Sequence, residues 1–337
     1  MNILVTGSTG FIGANLCRGL LRQGHEVFAF HRPNSNTRLI DHLPVHHLIG
    51  DITQPGSIRE AMRDIHVVFH TAAWMGHAGD SGRDYTITVE GTRSILAEAR
   101  RAGVLRVVHT SSVAALGVPD KGPTRDKLDP VEVPLINENH TWNIQPEHWH
   151  YAYAKYLAEL EVQKAVALGL DVVITNPTFV IGAGDIYRQS NSIIVYLNQH
   201  PLSFSIEGGL NVVHIDDVVE GHLRAMLHGK RGERYILGGE NMPHHRLLQS
   251  IAEAAGVRPP DTILPGWLVN AAVHPLRFTQ AFVDLPISVN LLRQAGKFFY
   301  YDLRKSQVEL RMPEPRPVSE AIKAAHAWFT DPAPLEL

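Results

Sequence analysis

Tyr151 and Lys155 stand four residues apart in the segment Tyr151-Ala152-Tyr153-Ala154-Lys155. On a helix that spacing puts the two side chains on one face and turns Tyr153 elsewhere. A free phenol ionises near pH ~10, too high for easy proton exchange at neutral pH. An ammonium beside it stabilises the phenolate and brings that value down. Tyr151 can then protonate an alkoxide as hydride reaches a carbonyl carbon, or deprotonate an alcohol in the reverse direction. Tyr and Lys at this spacing are common by chance, so the pair draws its weight from a second segment. The run Leu105–Thr110 ends in His109-Thr110-Ser111-Ser112. Hydroxyls at the carboxyl end of a central strand face the crevice where open sheets bind ligands, and a serine there can hold a substrate oxygen beside the tyrosine.

A third segment offers phosphate chemistry. Thr6-Gly7-Ser8-Thr9-Gly10-Phe11-Ile12-Gly13 joins an apolar run directly to a helical one. Glycine lets the backbone turn tightly and approach a pyrophosphate, and the helix start offers free N–H groups and a positive dipole end. The glycines are spaced G-x-x-G-x-x-G rather than G-x-G-x-x-G. An ordinary tight turn would use glycine too, but the position between strand and helix at the head of a βαβ pattern favours a dinucleotide. After the second strand, where an acidic residue would accept from the adenosine ribose of NAD, the chain has His31-Arg32, then Arg38, and no carboxylate between Glu26 and Asp41. A planar guanidinium suits a 2′-phosphate, so NADP is the expected cofactor, with NAD the alternative. Asp51 is placed either to accept from the adenine amino group or to cap the following helix.

The elements needed to position these groups follow from periodicity. Strands are expected at Asn2–Thr6, Glu26–His31, Val45–Ile49, His66–His70, Leu105–Thr110 and Asp171–Thr175. Helices are expected at Phe11–Gln23, Ser57–Arg63, Gly82–Ala102 and Glu147–Leu168, with Ile87, Gly91, Ile95 and Ala99 at fourfold spacing in the third. This alternation predicts a parallel sheet covered by helices on both faces. Gly117–Gln145, rich in Pro, Asp and Asn, reads as a long loop. A strand–helix unit returns at Val212–Leu227, a strand follows at Arg234–Leu237, and Val318–Phe329 closes the chain as a helix.

Composition narrows the classes. Among 337 residues, 44% are hydrophobic and 19% charged, which supports a large core and excludes global disorder. Lys plus Arg is 31 and Asp plus Glu is 34, a net charge of 31 − 34 = −3, with no basic footprint for nucleic acid or an anionic membrane. The single Cys17 makes no internal disulfide, so a reducing cytoplasm is the simplest compartment. Met1–Gly7 has neither a basic region nor a long apolar stretch, and the longest apolar region, Ile263–Val273, is broken by Pro265 and Asn270; a soluble protein is expected. The 20 histidines raise the question of a metal. There is no H-E-x-x-H and no Cys/His set with zinc spacing, and the adjacent pairs His46-His47 and His244-His245 would diverge on a strand, so no metal site is expected.

Taken together, the chain resembles the extended short-chain dehydrogenase/reductase superfamily and, within it, the dihydroflavonol-reductase-like branch. The resemblance rests on TGSTGFIG at Thr6–Gly13, GDI at Gly50–Ile52, HTAA at His70–Ala73, HTSSVAALG at His109–Gly117, YAYAK at Tyr151–Lys155, NPTFVIGAGD at Asn176–Asp185 and VVHIDDVVEGHLRAM at Val212–Met226. It implies an α/β fold: a Rossmann-type doubly wound parallel sheet with a smaller, discontinuous mixed α/β substrate lobe. Residues 1–175 plus 212–238 would form the cofactor domain, and 176–211 plus 239–337 the substrate lobe. It implies Ser112, Tyr151 and Lys155 as the catalytic set, with Lys155 also on the nicotinamide ribose. Cofactor contacts would come from Gly7, Thr9, Gly10, Phe11, Ile12, Gly13, His31, Arg32, Arg38, Asp51, Ile52, Thr71, Ala72, Ala73 and Thr110, and from Pro177, Thr178, Phe179 and Val180 near the carboxamide. Two departures stand out: many relatives have asparagine where this chain has Thr88, and sugar-nucleotide epimerases often have arginine where it has Leu210.

The substrate pocket is expected to draw on Trp74, Met75 and His77, on Phe179 and Tyr187, and on Ser112, with apolar bulk from Trp267–Phe282; such a lining suits a hydrophobic carbonyl compound. The leading expectation is therefore an NADP-dependent carbonyl reductase or alcohol dehydrogenase. An epimerase or dehydratase with tightly held NAD is the alternative within the fold, and a non-catalytic NADP-binding redox sensor the alternative outside catalysis. Related enzymes pair through their two long helices, so a homodimer is expected.

Overall fold

The computed structural model describes residues 1–74, 82, 84–120, 133–187, 191–199, 202–271 and 295–331. Its first sheet is wholly parallel. Strands β1 (Asn2–Thr6), β2 (Glu26–His31), β3 (His46–Ile49), β4 (Val67–His70), β5 (Arg106–Thr110) and β6 (Val172–Pro177) are joined by β10 (Arg234–Leu237) in the order β10-β6-β5-β4-β1-β2-β3. The order reverses between β1 and β4, which opens the ligand crevice of such sheets above the carboxyl ends of these strands.

The strands are apolar on both faces because helices cover both. Alternate residues of β1 divide between two cores. Ile3 and Val5 meet Leu16 and Leu20 of α1 (Phe11–Arg22) and Val219 and Leu223 of α6 (Ile215–His228). Leu4, with Val68 and Val107, meets Ile58 of α2 (Pro55–Ala61), Ile95 and Leu96 of α3 (Gly91–Ala102) and Val162 of α4 (His150–Ala167).

The second lobe interrupts the first. Strand β9 (Gly209–His214) pairs antiparallel with β11 (Glu240–Pro243) and parallel with β7 (Phe179–Ile181) and β13 (Phe298–Phe299). Over this mixed sheet Val212 and Ile181 bury against Ile194 of α5 (Ser192–Gln199), Leu247 and Ile251 of α7 (His244–Ala255) and Ile322 of α9 (Val318–Thr330). A parallel pair, β8 (Phe204–Ile206) and β12 (Thr262–Leu264), lies apart, and α8 (Arg304–Glu309) precedes α9.

Several expected boundaries move, each for a local reason. The second helix starts at Pro55, whose fixed φ suits a first helical turn, rather than at Ser57. The helix expected over Gly82–Ala102 is a π-helix at Asp84–Glu90 and is α-helical from Gly91 on. Thr86, Ile87, Thr88 and Val89 are β-branched and disfavour a regular α-turn, and the Thr92 hydroxyl donates to the Thr88 carbonyl at 2.6 Å. The strand expected from Val212 is part of β9 in the second sheet, and α6 follows it at Ile215. His244 and His245 open helix α7 instead of lying on a strand. No helix among the described residues is long and apolar enough to cross a membrane.

Candidate active site

The glycine loop is built as a cradle. Gly7 has φ +68°, and a Cβ there would lie 2.7 Å from the Ala72 amide nitrogen. A Cβ on Gly13 would lie 2.1 Å from the Gly7 carbonyl oxygen. A side chain at either position would collide with backbone already packed there, so glycine is what lets the loop close against the Ala72 segment and the start of α1 lie against the Gly7 carbonyl. Helix α1 starts at Gly10 with no side-chain cap, which leaves its first-turn N–H groups, including those of Phe11, Ile12 and Gly13, without the capping oxygen that Ser or Asp would supply. Thr9 is buried beside it, and Ser8 donates to the Phe30 carbonyl at 3.2 Å, tying the loop to β2. The loop therefore has the shape and the donors that a pyrophosphate needs.

At the end of β2, Arg32 and Arg38 are exposed. His31 is buried between the Arg32 carbonyl, 3.0 Å from Nδ1, and His47 Nδ1, 3.0 Å from Nε2. Asp51 caps no helix: its Oδ1 accepts from the Thr53 amide and hydroxyl, each at 2.8 Å, and Gln54 is the residue that opens α2. Ile52 packs against Gly91, where a Cβ would meet it at 2.6 Å. Thr71, after β4, donates to the Thr6 carbonyl at 2.7 Å and holds the Ala72-Ala73 segment against the loop.

Lys155 is the centre of the second half of the site. It is 3% exposed, and its Nζ donates to the Thr110 carbonyl at 2.8 Å, so α4 is bonded directly to the end of β5. Burial brings its pKa down to about 8, opposed by the Glu159 carboxylate. Tyr151, one turn earlier on the same face of α4, is half-buried. Tyr153 turns away, meeting the Trp142 ring at a tilt at 5.5 Å and stacking with Tyr156 at 6.3 Å. Ser112 follows β5, and its Oγ accepts from the Ala114 amide at 3.2 Å, capping the 3₁₀ turn Val113–Leu116. That bond uses an acceptor lone pair and leaves the hydroxyl proton to donate.

The structure also places residues that sequence reasoning did not weigh. Thr6, His70 and His109 stand in one row across β1, β4 and β5, on the face that carries α3 and α4. The Thr6 hydroxyl meets His70 Nδ1 at 2.7 Å, and Nε2 meets the Thr92 hydroxyl at 3.0 Å. His109 lies 5.4 Å from the His70 ring, and neither of its nitrogens has a partner among the described residues. Burial, with Lys155 nearby, brings His70 down to about 3 and His109 well below its usual range. Thr110 belongs to the opposite face: its hydroxyl meets His222 Nε2 of α6 at 2.8 Å. Its carbonyl is the acceptor of the Lys155 bond. Thr88, in place of the relatives' asparagine, accepts from the Trp74 amide at 3.1 Å and so fixes the start of the pocket segment.

Met75 and His77 lie outside the described residues. Phe179 and Val180 sit on β7, where Phe179 packs against the second-lobe core and Val180 is buried in the first. The Thr178 hydroxyl, behind Pro177, is buried with no partner among the described residues. Tyr187 is 50% exposed at the edge of the described segment. A cavity of about 330 Å³ beside the long loop is lined by Asp120, Leu135, His140 and Asn143 among others, and none of Ser112, Tyr151 and Lys155 lines it. No group of three or more His, Cys, Asp or Glu among the described residues could hold a metal ion.

Residues 3–238 match the profile of the NAD dependent epimerase/dehydratase family. The chain is similar to a putative dihydroflavonol 4-reductase of Synechocystis, 35% identical over 96% of this chain and 93% of that one. It is also similar to sterol demethylase protein B of Methylococcus capsulatus, 33% identical over 98% and 99% of the two chains. Among solved structures, gox2253 superposes with a TM-score of 0.82 at 32% identity, covering 97% of each chain.

Proposed function

The chain belongs to the NAD dependent epimerase/dehydratase family and is an NAD(P)-dependent oxidoreductase of the short-chain type, and from that premise we propose that it reduces the carbonyl of a small, hydrophobic substrate with NADPH, or oxidises the matching alcohol. The observation that carries this reading is the bond from buried Lys155 to the Thr110 carbonyl, which brings the Tyr151 face of α4 against the strand end that presents Ser112. The glycine cradle fits a dinucleotide, and the exposed Arg32 and Arg38 at the end of β2 suit a 2′-phosphate. The bound nicotinamide would supply or accept the hydride.

The chain's own residues do the rest. Ser112 donates its free hydroxyl proton to the substrate oxygen and orients it. Tyr151 gives up its phenolic proton to that oxygen as negative charge develops, and the Lys155 ammonium stabilises the phenolate left behind. Names of relatives support an apolar substrate with a ring or alkyl body: a dihydroflavonol reductase, a sterol demethylase component and a 2-alkyl-3-oxoalkanoate reductase are among them. They favour a reductase over a sugar-nucleotide epimerase, as does Leu210 at the register where epimerases often place arginine. We further infer a cytoplasmic homodimer paired through the surfaces of α3 and α4.

The test uses NADPH oxidation over a panel of hydrophobic aldehydes and ketones. Tyr151→Phe is expected to lose at least about 100-fold in kcat while binding NADPH normally, since general acid catalysis contributes about 10²–10⁴-fold. Arg32→Glu is expected to weaken NADPH by at least about tenfold with little effect on NADH. Retained turnover in the first variant, or equal loss of both cofactors in the second, would overturn the respective assignment.

A further inference from the structure

One buried carboxylate is not absorbed by the proposed chemistry. Glu159 lies on α4 one turn beyond Lys155 and is 5% exposed. Its Oε1 accepts from Asn176 Nδ2 at 2.7 Å, and its Oε2 meets Arg234 Nη1 at 3.3 Å. The same Asn176 amide nitrogen donates to the Ser112 carbonyl at 2.9 Å. Asn176 is itself wholly buried on β6, and Arg234 opens β10. Four elements thus converge on one carboxylate: the catalytic helix, the end of β5, β6 and β10.

Burying a carboxylate is costly even when it is paired, and well-packed apolar residues often do as well for stability. A core contact alone would be served by leucine. What leucine could not do is hold Asn176 with its donors aimed at Ser112. The last residues of β5 are gripped twice from the α4 side: Lys155 holds the Thr110 carbonyl, and Asn176, seated on Glu159, holds the Ser112 carbonyl two residues on. The two grips fix the turn on which the Ser112 hydroxyl stands.

We propose that Glu159 and Asn176 are positioning residues of this active site, which set the Ser112 hydroxyl against the helix face that carries Tyr151 and Lys155. The inference rests on the roles assigned above to Ser112, Tyr151 and Lys155. A second consequence follows from charge. Burial raises the pKa of Glu159, and Arg234 opposes that rise most strongly; the carboxylate in turn supports the Lys155 ammonium against its own burial. Removing the negative charge while keeping the shape leaves Lys155 easier to discharge.

The test follows NADPH oxidation with 4-nitrobenzaldehyde in the full-length protein, alongside NADPH affinity from fluorescence titration. Asn176→Ala is expected to lower kcat about 30-fold or more with KM for NADPH within about twofold, because a misplacement of about 1 Å can cost about 100-fold. Asn176 can support folding as well, so Glu159→Gln is the second variant: its amide oxygen still accepts from Asn176. It is expected to move the alkaline limb of kcat down by about one pH unit. A ¹³C-lysine NMR titration, with the signal assigned through Lys155→Met, is expected to show Lys155 losing its proton at lower pH in Glu159→Gln than in the parent. Wild-type kcat in a folded Asn176→Ala protein, or an unmoved alkaline limb and an unmoved Lys155 titration in Glu159→Gln, would overturn the proposal while leaving the Tyr151 assignment standing. Wild-type turnover in Tyr151→Phe would instead remove the reading on which it rests.

Discussion

Acidification from pH ~7 to pH ~5 is expected to destabilise this fold through imidazoles that the native state keeps neutral. His70, His109 and His222 are 0–1% exposed. Burial brings His70 down to about 3 and His222 down to about 4, and holds His109 well below its usual range. In the unfolded chain each would titrate near the reference value of 6.5. The folded state therefore refuses protons that the unfolded state accepts. The stability these groups contribute is complete above about pH 6.5 and is lost as pH falls from there toward the folded values. One pKa unit is worth about 1.4 kcal/mol, so at pH ~5 His70 and His222 each cost about 1.5 × 1.4, or about 2 kcal/mol. His70 and His222 together remove about 4 kcal/mol, and His109 adds a third contribution of the same sign. Net stabilities of about 5–15 kcal/mol make that a large fraction. Paired carboxylates such as Glu98, Glu161 and Asp302 are shifted below their usual range, so their loss begins only at lower pH.

Urea unfolding followed by tryptophan fluorescence at intervals between pH ~7.5 and pH ~5 measures the effect. The informative variant is His109→Leu. This ring has no hydrogen-bond partner to lose among the described residues, so leucine removes the titration without orphaning a neighbour. Its stability curve is expected to flatten, with a smaller deficit at pH ~5 than in the parent. His222→Leu is the contrast: it strands the Thr110 hydroxyl, at 2.8 Å, and takes one of the two partners of the Thr175 hydroxyl, at 3.0 Å, and is expected to destabilise at every pH while also flattening the curve. Parallel curves for the parent and His109→Leu would refute the reasoning, since a buried neutral imidazole cannot be removed without changing proton uptake on unfolding.

Two further outcomes follow from the same geometry. Gly13→Ala forces a Cβ to within 2.1 Å of the Gly7 carbonyl unless the loop moves, so NADPH affinity is expected to fall at least about tenfold, with a loss of roughly 1–3 kcal/mol in stability; unchanged fluorescence titration would contradict the cradle. Cys17 is wholly buried and its thiol is pushed up to about 12, so a thiol-disulfide reagent is expected to label it only on unfolding. Fast labelling of the native protein would show that α1 opens far more readily than its packing implies.

Element types were legible in the sequence because the parallel sheet imposes a strong signal. Runs such as Ile3-Leu4-Val5 and Val172-Val173-Ile174 are apolar at every position, and that pattern needs cover on both faces. The glycine loop and the Tyr151–Lys155 spacing were legible for a similar reason, since both are local and depend only on neighbours along the chain. The π-helix at Asp84–Glu90 was not, because fourfold spacing of Ile87, Gly91, Ile95 and Ala99 survives a local change in winding.

The polar floor of the site was illegible for a different reason. Thr6, His70 and His109 are separated by tens of residues, and their row exists only through strand register. Read singly, each is an ordinary polar residue at a strand end. Period-two alternation would have separated Thr110 from His109, since adjacent strand residues point to opposite faces, and that is why the Thr110 hydroxyl meets His222 while Lys155 reaches only its carbonyl. In the sequence Asn176 is only the first residue of a motif, yet its side chain joins Ser112 to Glu159 across a gap of 64 residues on one side and 17 on the other. A side-chain amide can serve two distant acceptors only when tertiary packing brings both within reach, and local propensity carries no trace of that convergence. The residues proposed to touch a reacting group stand in short motifs, whereas those that hold them in place become visible only when the strands are laid side by side.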